Sequence, residues 1–292
     1  MPEATLDALL PPAMAAKAEQ IGVKKANSPW LQLFLLAVLA GAFIAIGAIF
    51  STVLASGSVV VVNGNISTTS LPFGLTRLLA GLGFSLGLVL VVVGGAELFT
   101  GNNLIVMAFM SQKVTLGQLL RSWGIVYAGN FAGALATAVI VFAGGHHAYG
   151  KGAVGLAMLT IAESKCSLGF GQAVALGMMC NALVCMAVWL CYSARSTTDK
   201  ILAIIPPISA FVAAGFEHSV ANMYFISVAL LVKTWGSSAF FESIRHQASD
   251  FSLLTWENFI LANLLPVTLG NIIGGAVMVG MVYWLIYLRK TA

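Results

Sequence analysis

Charged side chains are what this chain has least of: they make up 8% of its 292 residues, against 59% hydrophobic ones. A soluble domain covers its surface with roughly a quarter charged residues, so a wholly water-facing exterior is excluded and lipid must cover much of the chain. It is an integral membrane protein by composition, with a mean hydropathy of +0.96. The net charge of +4 therefore implies no nucleic-acid partner; it reads as loop charge that sets orientation in a bilayer. A CxxC pair is also missing. Cys166, Cys180, Cys185 and Cys191 read as buried small hydrophobes, which leaves neither a disulfide framework nor a metal site, and no cofactor is expected. Paired histidines are lacking too. Only His218 falls inside an apolar run, whereas His146, His147 and His246 lie in loops, so a haem-carrying electron-transfer subunit is disfavoured. A signal peptide is not expected either, because Glu3, Asp7 and Glu19 stand where its apolar core belongs.

What the chain has instead is long apolar runs. Segments of about 20 residues or more can cross a bilayer as helices, and they cover 30–55, 75–111, 117–144, 169–194, 200–233 and 256–288. Polar residues and glycine interrupt the second at 97–103 and the fifth at 215–222. The fold expected is all-α, with six transmembrane helices of which the second and fifth are broken. Residues 1–29 form an N-terminal tail, with a helix from Pro11 and Pro12 to about Ala26 and a weak apolar stripe of Met14, Ala18 and Ile21. Two readings of that tail stay open: a solvated segment, or a helix lying on the membrane or over a mouth. Residues 30–292 form one transmembrane domain. With the N-terminus in the cytoplasm, nine Lys and Arg fall inside and five outside, which supports both termini on the inner face of the cell membrane.

The two interruptions match. Gly95-x-Glu97-x4-Asn102 aligns without a gap on Gly215-x-Glu217-x4-Asn222. Each half continues to a Gly-Asn-x-x-Gly, at Gly129, Asn130 and Gly133 and at Gly270, Asn271 and Gly274. Three crossings per half is an odd number, so the halves should insert with opposite topology. That is an inverted 3+3 repeat, about 30–144 and 169–288, with its site near the midplane.

Helices break inside a bilayer only around a protected cavity, and the half-helix that resumes has unpartnered N–H groups that favour an anion. Thr100 or Asn102, and Ser219, are the expected caps. Glu97 and Glu217 are costly as charges. They read either as acceptors that hold freed backbone N–H groups and the neighbouring half-helix, or as proton carriers. His218 is the titratable donor on the break itself. Phe84 and Leu88 share a helix face, and Phe211, seven residues before His218, is expected on the same face as it. Ordinary helix packing explains those spacings equally well, but a polar midpoint between apolar constrictions suits a selective pore.

On GAELFTG at 95–101, CNALVCMAVW at 180–189, GFEHSVANM at 215–223 and PVTLGNIIGG at 266–275, the chain resembles the formate/nitrite transporter family from about residue 30 onward. The resemblance implies an aquaporin-like subunit in a homopentamer, with one pore per subunit for a small monovalent anion such as formate, nitrite or hydrosulfide. It implies His218 as the central histidine and Thr100 as its loop threonine; as a titratable donor flanked by apolar side chains, His218 is expected to hand the anion a proton. It also implies constrictions at Phe84, Leu88 and Phe211 and at Leu98, Phe99 and Val184. Lys165 would attract anions at the outer vestibule, and Asn181 would lie near the pore. The expectation is a channel or transporter with no catalytic residues, and a neutral-solute or ammonium channel is the nearest rival.

Overall fold

Once in lipid, a backbone must satisfy its own polar groups, and the apolar runs do so as helices. The computed structural model describes residues 8–62, 65–69 and 71–289. In chain order the helices are α1 (Pro11–Ala26), α2 (Trp30–Ala55), α3 (Phe73–Gly94), α4 (Phe99–Met110), α5 (Leu116–Ala143), α6 (Ala153–Cys166), α7 (Phe170–Ser193), α8 (Thr197–Ala213), α9 (Ser219–Trp235), α10 (Ser238–Ile244) and α11 (Trp256–Tyr287). Five of them, α2, α3, α5, α7 and α11, are each long and apolar enough to cross a membrane. The sequence reading joins α3 to α4 and α8 to α9 as two broken spans. Between α2 and α3 the chain makes one short antiparallel ribbon, Ser58–Val62 against Asn65–Thr69, which the apolar pattern did not announce.

Three helices pack together in each half. α2 lies against α3 and α5, while α7 lies against α8 and α11, and α3 and α8 join the halves. Small residues allow this closeness: a Cβ on Gly133 or Gly274 would run into the carbonyl of Val38 or Met178 on the facing helix. The outward faces stay apolar, as Trp30, Leu31, Leu35, Leu39, Ile46 and Phe50 along α2 show. α9 behaves differently. It is buried almost all round from Ser219 to Val232, the state expected of a helix at a core centre. α11 is wound with π-type bonds over Phe259–Leu264 and Ile273–Met281, and Asn271 sits between those stretches.

Within the tail, α1 packs on the transmembrane helices rather than standing free in solvent. α1 buries Met14, Ala15, Ala18, Glu19, Gly22 and Ala26, with Gly22 set against Ile105 and Ala108 of α4. Lys113 ion-pairs with Glu19, and the Lys17 ammonium donates to the Tyr192 carbonyl at 2.8 Å.

Candidate functional site

Each break begins with a glycine in the left-handed region, where a side chain would be strained: Gly95 and Gly215 both have φ of 76°. The next N–H closes back on the ended helix, Ala96 to the Val91 carbonyl at 2.9 Å and Phe216 to the Phe211 carbonyl at 3.0 Å. The chain then runs extended, and Glu97 N–H and Glu217 N–H donate across to the carbonyls of Leu36 and Leu176. Asn130 and Asn271 hold this extended backbone on both sides. Their Oδ1 atoms accept from Phe99 N–H and Ser219 N–H at 2.9 Å each, and their amides donate to Glu97 O and Ala37 O, and to Glu217 O and Gly177 O. The expected caps are thereby corrected. None of Thr100, Asn102 and Ser219 caps a half-helix: the first N–H of each half-helix goes to an asparagine of a distant helix, Phe99 to Asn130 and Ser219 to Asn271, and at α9 His218 is the capping residue, its Nδ1 accepting from Ala221 N–H.

The carboxylates are corrected in the same way. They accept side-chain donors rather than freed backbone N–H groups. Glu97 accepts from Lys25 at 2.9 Å and Asn102 at 2.8 Å, and Asn102 in turn accepts from Lys25 at 2.7 Å. Glu217 accepts from Lys165 at 2.7 Å, Asn222 at 2.6 Å and Asn263 at 3.3 Å. Through Asn102 and Asn222 each carboxylate grips the first turn of the half-helix beyond it. Lys165 is thus no free charge at a mouth but one member of an ion pair.

His218 ends the second extended stretch and starts α9. Its Nδ1 accepts from Ala221 N–H at 3.0 Å, so the ring proton sits on Nε2 and points at Thr100 Oγ1, 3.0 Å away. Thr100 and His218 are both buried. Two cavities flank the pair. One, of about 190 Å³, is lined by Arg77, Phe84, Lys165, Phe211, Glu217 and His218 among others. The other, of about 280 Å³, is lined by Lys17, Lys25, Leu88, Glu97, Leu98 and Lys200 among others. Phe84 meets Phe211 edge-on at 5.5 Å, and Phe211 stacks on His218 at 5.9 Å. That second contact does not come from a shared helix face, since α8 ends at Ala213; the Gly215 turn brings the rings together.

Of the remaining expected residues, Phe99 turns away from both cavities and packs edge-on against Trp123 and Tyr127, and Val184 is buried without lining either one. Asn181 is buried behind the site, where its amide donates to Asn271 O at 2.6 Å and Thr100 O at 3.3 Å. Several polar residues were missed as site members: Lys25, Arg77, Lys200 and Asn263, together with the Asn130 and Asn271 amides. The doubled Gly-Asn-x-x-Gly already marked the two asparagines, and a signal existed for Lys25 too. Lys25 and Leu36 have the same spacing as Lys165 and Leu176, so the half-to-half match begins in α1 and α6, before the first span of each half.

Comparisons with known proteins bear on the chain as a whole. A family model described as Formate/nitrite transporter matches residues 12–285. Formate channel FocA of Escherichia coli (strain K12) is 44% identical over 284 residues, covering 97% of this chain and 96% of that protein. Formate channel FocA of Haemophilus influenzae is 38% identical with the same coverage. A solved structure, described as a pentameric formate channel with formate bound, superposes with a TM-score of 0.81 at 43% identity, over 89% of this chain and 98% of that one.

Proposed function

The chain belongs to the formate/nitrite transporter family, and on that premise we propose that it conducts formate, or a similar small monovalent weak-acid anion, from one cavity to the other past Thr100 and His218. Five copies assemble, as in the pentameric relative, and each is assigned its own pathway. It is a multi-pass membrane protein, which we place in the cell inner membrane with both termini cytoplasmic, so that the Lys165 cavity opens outward and the Lys25 cavity inward. The halves then form an inverted pair. We assign it no catalytic residue and no cofactor.

The observation that carries this reading is the buried Thr100–His218 bond: His218 lines one cation-bearing cavity with Phe84 and Phe211, while Leu98 and Gly101, close to Thr100 in the chain, line the other with Leu88. The cations raise the local anion concentration. Apolar side chains exclude hydrated inorganic ions. With Nε2–H donating to Thr100 Oγ1, the threonine hydroxyl proton is left to donate to the anion, and the imidazole polarises it. Handing over a whole proton is a further step. His218 must first be protonated on Nδ1, and that requires opening its bond to Ala221 N–H.

The test is flux through proteoliposomes across a pH series, comparing formate, nitrite, hydrosulfide and lactate, with ammonium as the rival cargo. Formate flux is expected in the wild type. Thr100→Val should lower it about ten- to a hundredfold, since one hydrogen bond to a charged acceptor is worth about 1.5–3 kcal/mol. His218→Asn should flatten the pH dependence. An unchanged pH dependence would remove the proton step, and current carried by ammonium but not formate would overturn the reading itself.

A further inference from the structure

Arg77 stands five residues into α3, yet its side chain is spent on α8. One Nη2 hydrogen reaches the Val212 carbonyl, and Nε–H reaches the Ala213 carbonyl at 3.4 Å. These are the last carbonyls of α8, the electronegative end of a helix that stops inside the protein. Left alone, that end would face the Lys165 cavity and repel an anion. The guanidinium covers it. Five N–H groups belong to a guanidinium, and two are used here, which leaves three on a half-buried cation that lines the same cavity as Lys165 and His218. Lys165 spends one donor on Glu217 and keeps two. The opposite cavity is built with a different cation. Lys200, early in α8, lines it beside Val91, Val92 and Gly95, where α3 ends. One cavity is therefore lined by an arginine at a helix end and the other by Lys200, and the two cations differ in what they recognise. A guanidinium fork fits a planar pair of oxygens bidentately, whereas an ammonium is a point charge.

We propose that Arg77 is a specificity-determining residue: with Lys165 it forms a binding station for planar, two-oxygen anions, carboxylates above all, on the Lys165 side of the Phe84–Phe211 pair. This rests on the proposed function, since it names how that pathway selects its cargo. The cavity of about 190 Å³ has room for a one-carbon carboxylate and several waters, each taking about 30 Å³. Arg77 holds itself in place through α8, so the fork is presented without ordering a loop. Formate or nitrite should gain from it, while hydrosulfide, with one acceptor atom, should gain only from the charge.

Arg77→Lys and Arg77→Gln test this in oriented vesicles, with half-saturation and maximal rate measured separately for formate and hydrosulfide from each side. Arg77→Lys should raise the formate half-saturation about tenfold for entry from the Lys165 side only, with its maximal rate and hydrosulfide entry nearly unchanged. Arg77→Gln should raise the half-saturation for both anions. A purely structural brace would instead lower maximal rates and thermal stability alike for every anion and both directions, and that result would overturn the proposal. So would an Arg77→Lys protein indistinguishable from wild type. A wild type that conducts none of these anions is a different failure, which overturns the underlying reading.

Discussion

At the first break Glu97 is followed by Leu98, and at the second Glu217 is followed by His218. Around both, one set of bonds recurs. Gly95 and Gly215 turn the chain, Leu36 and Leu176 receive the glutamate N–H, Asn130 and Asn271 hold the extended backbone, and Lys25 and Lys165 pair with the carboxylates. The central polar contact breaks this symmetry. Three residues after its glutamate the first half has Thr100, where the second has Val220, and the imidazole stands where the first half has an apolar Leu98. The scaffold exists twice and the chemistry once. A duplicated frame offers two similar mouths, and non-equivalent residues from each half then meet in a single polar contact between them.

The largest effect expected on this comparison is at the close-packed glycines. Gly133→Ala and Gly274→Ala each drive a methyl into a facing carbonyl in a helix pair that has no room to part. Each should cost on the order of 4 kcal/mol or more, beyond the usual 1–3 for overpacking because backbone rather than a side chain must yield. Size-exclusion chromatography of detergent-solubilised protein would read this as loss of folded material. Folded protein in good yield from one variant but not the other would show that the frames are not equally tight. Next come the asparagines. Asn130→Ala and Asn271→Ala each strip three buried hydrogen bonds, and at about 1–3 kcal/mol per orphaned group each should lose roughly 3 kcal/mol or more. Thermal unfolding should place the two within about 1 kcal/mol of each other. A large gap would mean that one break is held by something other than its asparagine.

The frame was legible in sequence where it was written as contrast. Glycine, glutamate and asparagine stand out in apolar runs, so both breaks and the doubled motif could be read directly, as could the five long apolar helices. Contacts that depend on distant partners could not. The stripe of α1 is weak by itself, and its burial follows from the α4 surface near Ile105 and Ala108. Phe99 sits one residue from Leu98, yet the extended backbone before it sends neighbouring side chains to opposite sides, so Leu98 lines a cavity and Phe99 packs on Tyr127. Phe211 and His218 were paired by helical periodicity, but a glycine turn brings them together. The π-type winding around Asn271 left no pattern at all, since apolar residues fit either bond register.

The smallest expected effect sharpens the comparison most. The two Lys–Glu pairs share a geometry but differ in exposure: side-chain exposures are 27% and 13% for Lys25 and Glu97, and 15% and 7% for Lys165 and Glu217. Water screens the first pair more, and the second carboxylate has also taken an additional amide, from Asn263. Removing Lys165 leaves Glu217 as an uncompensated buried charge, so Lys165→Met should cost about 3–5 kcal/mol, and adding Glu217→Gln should return much of that loss. A double-mutant cycle on thermal stability should therefore give a coupling of about 2–3 kcal/mol for this pair and about 1–2 kcal/mol for Lys25 with Glu97. Couplings equal to within about 0.5 kcal/mol would mean that the Lys165 cavity wets its ion pair as fully as the Lys25 cavity does. The difference in burial between the halves would then have no energetic consequence.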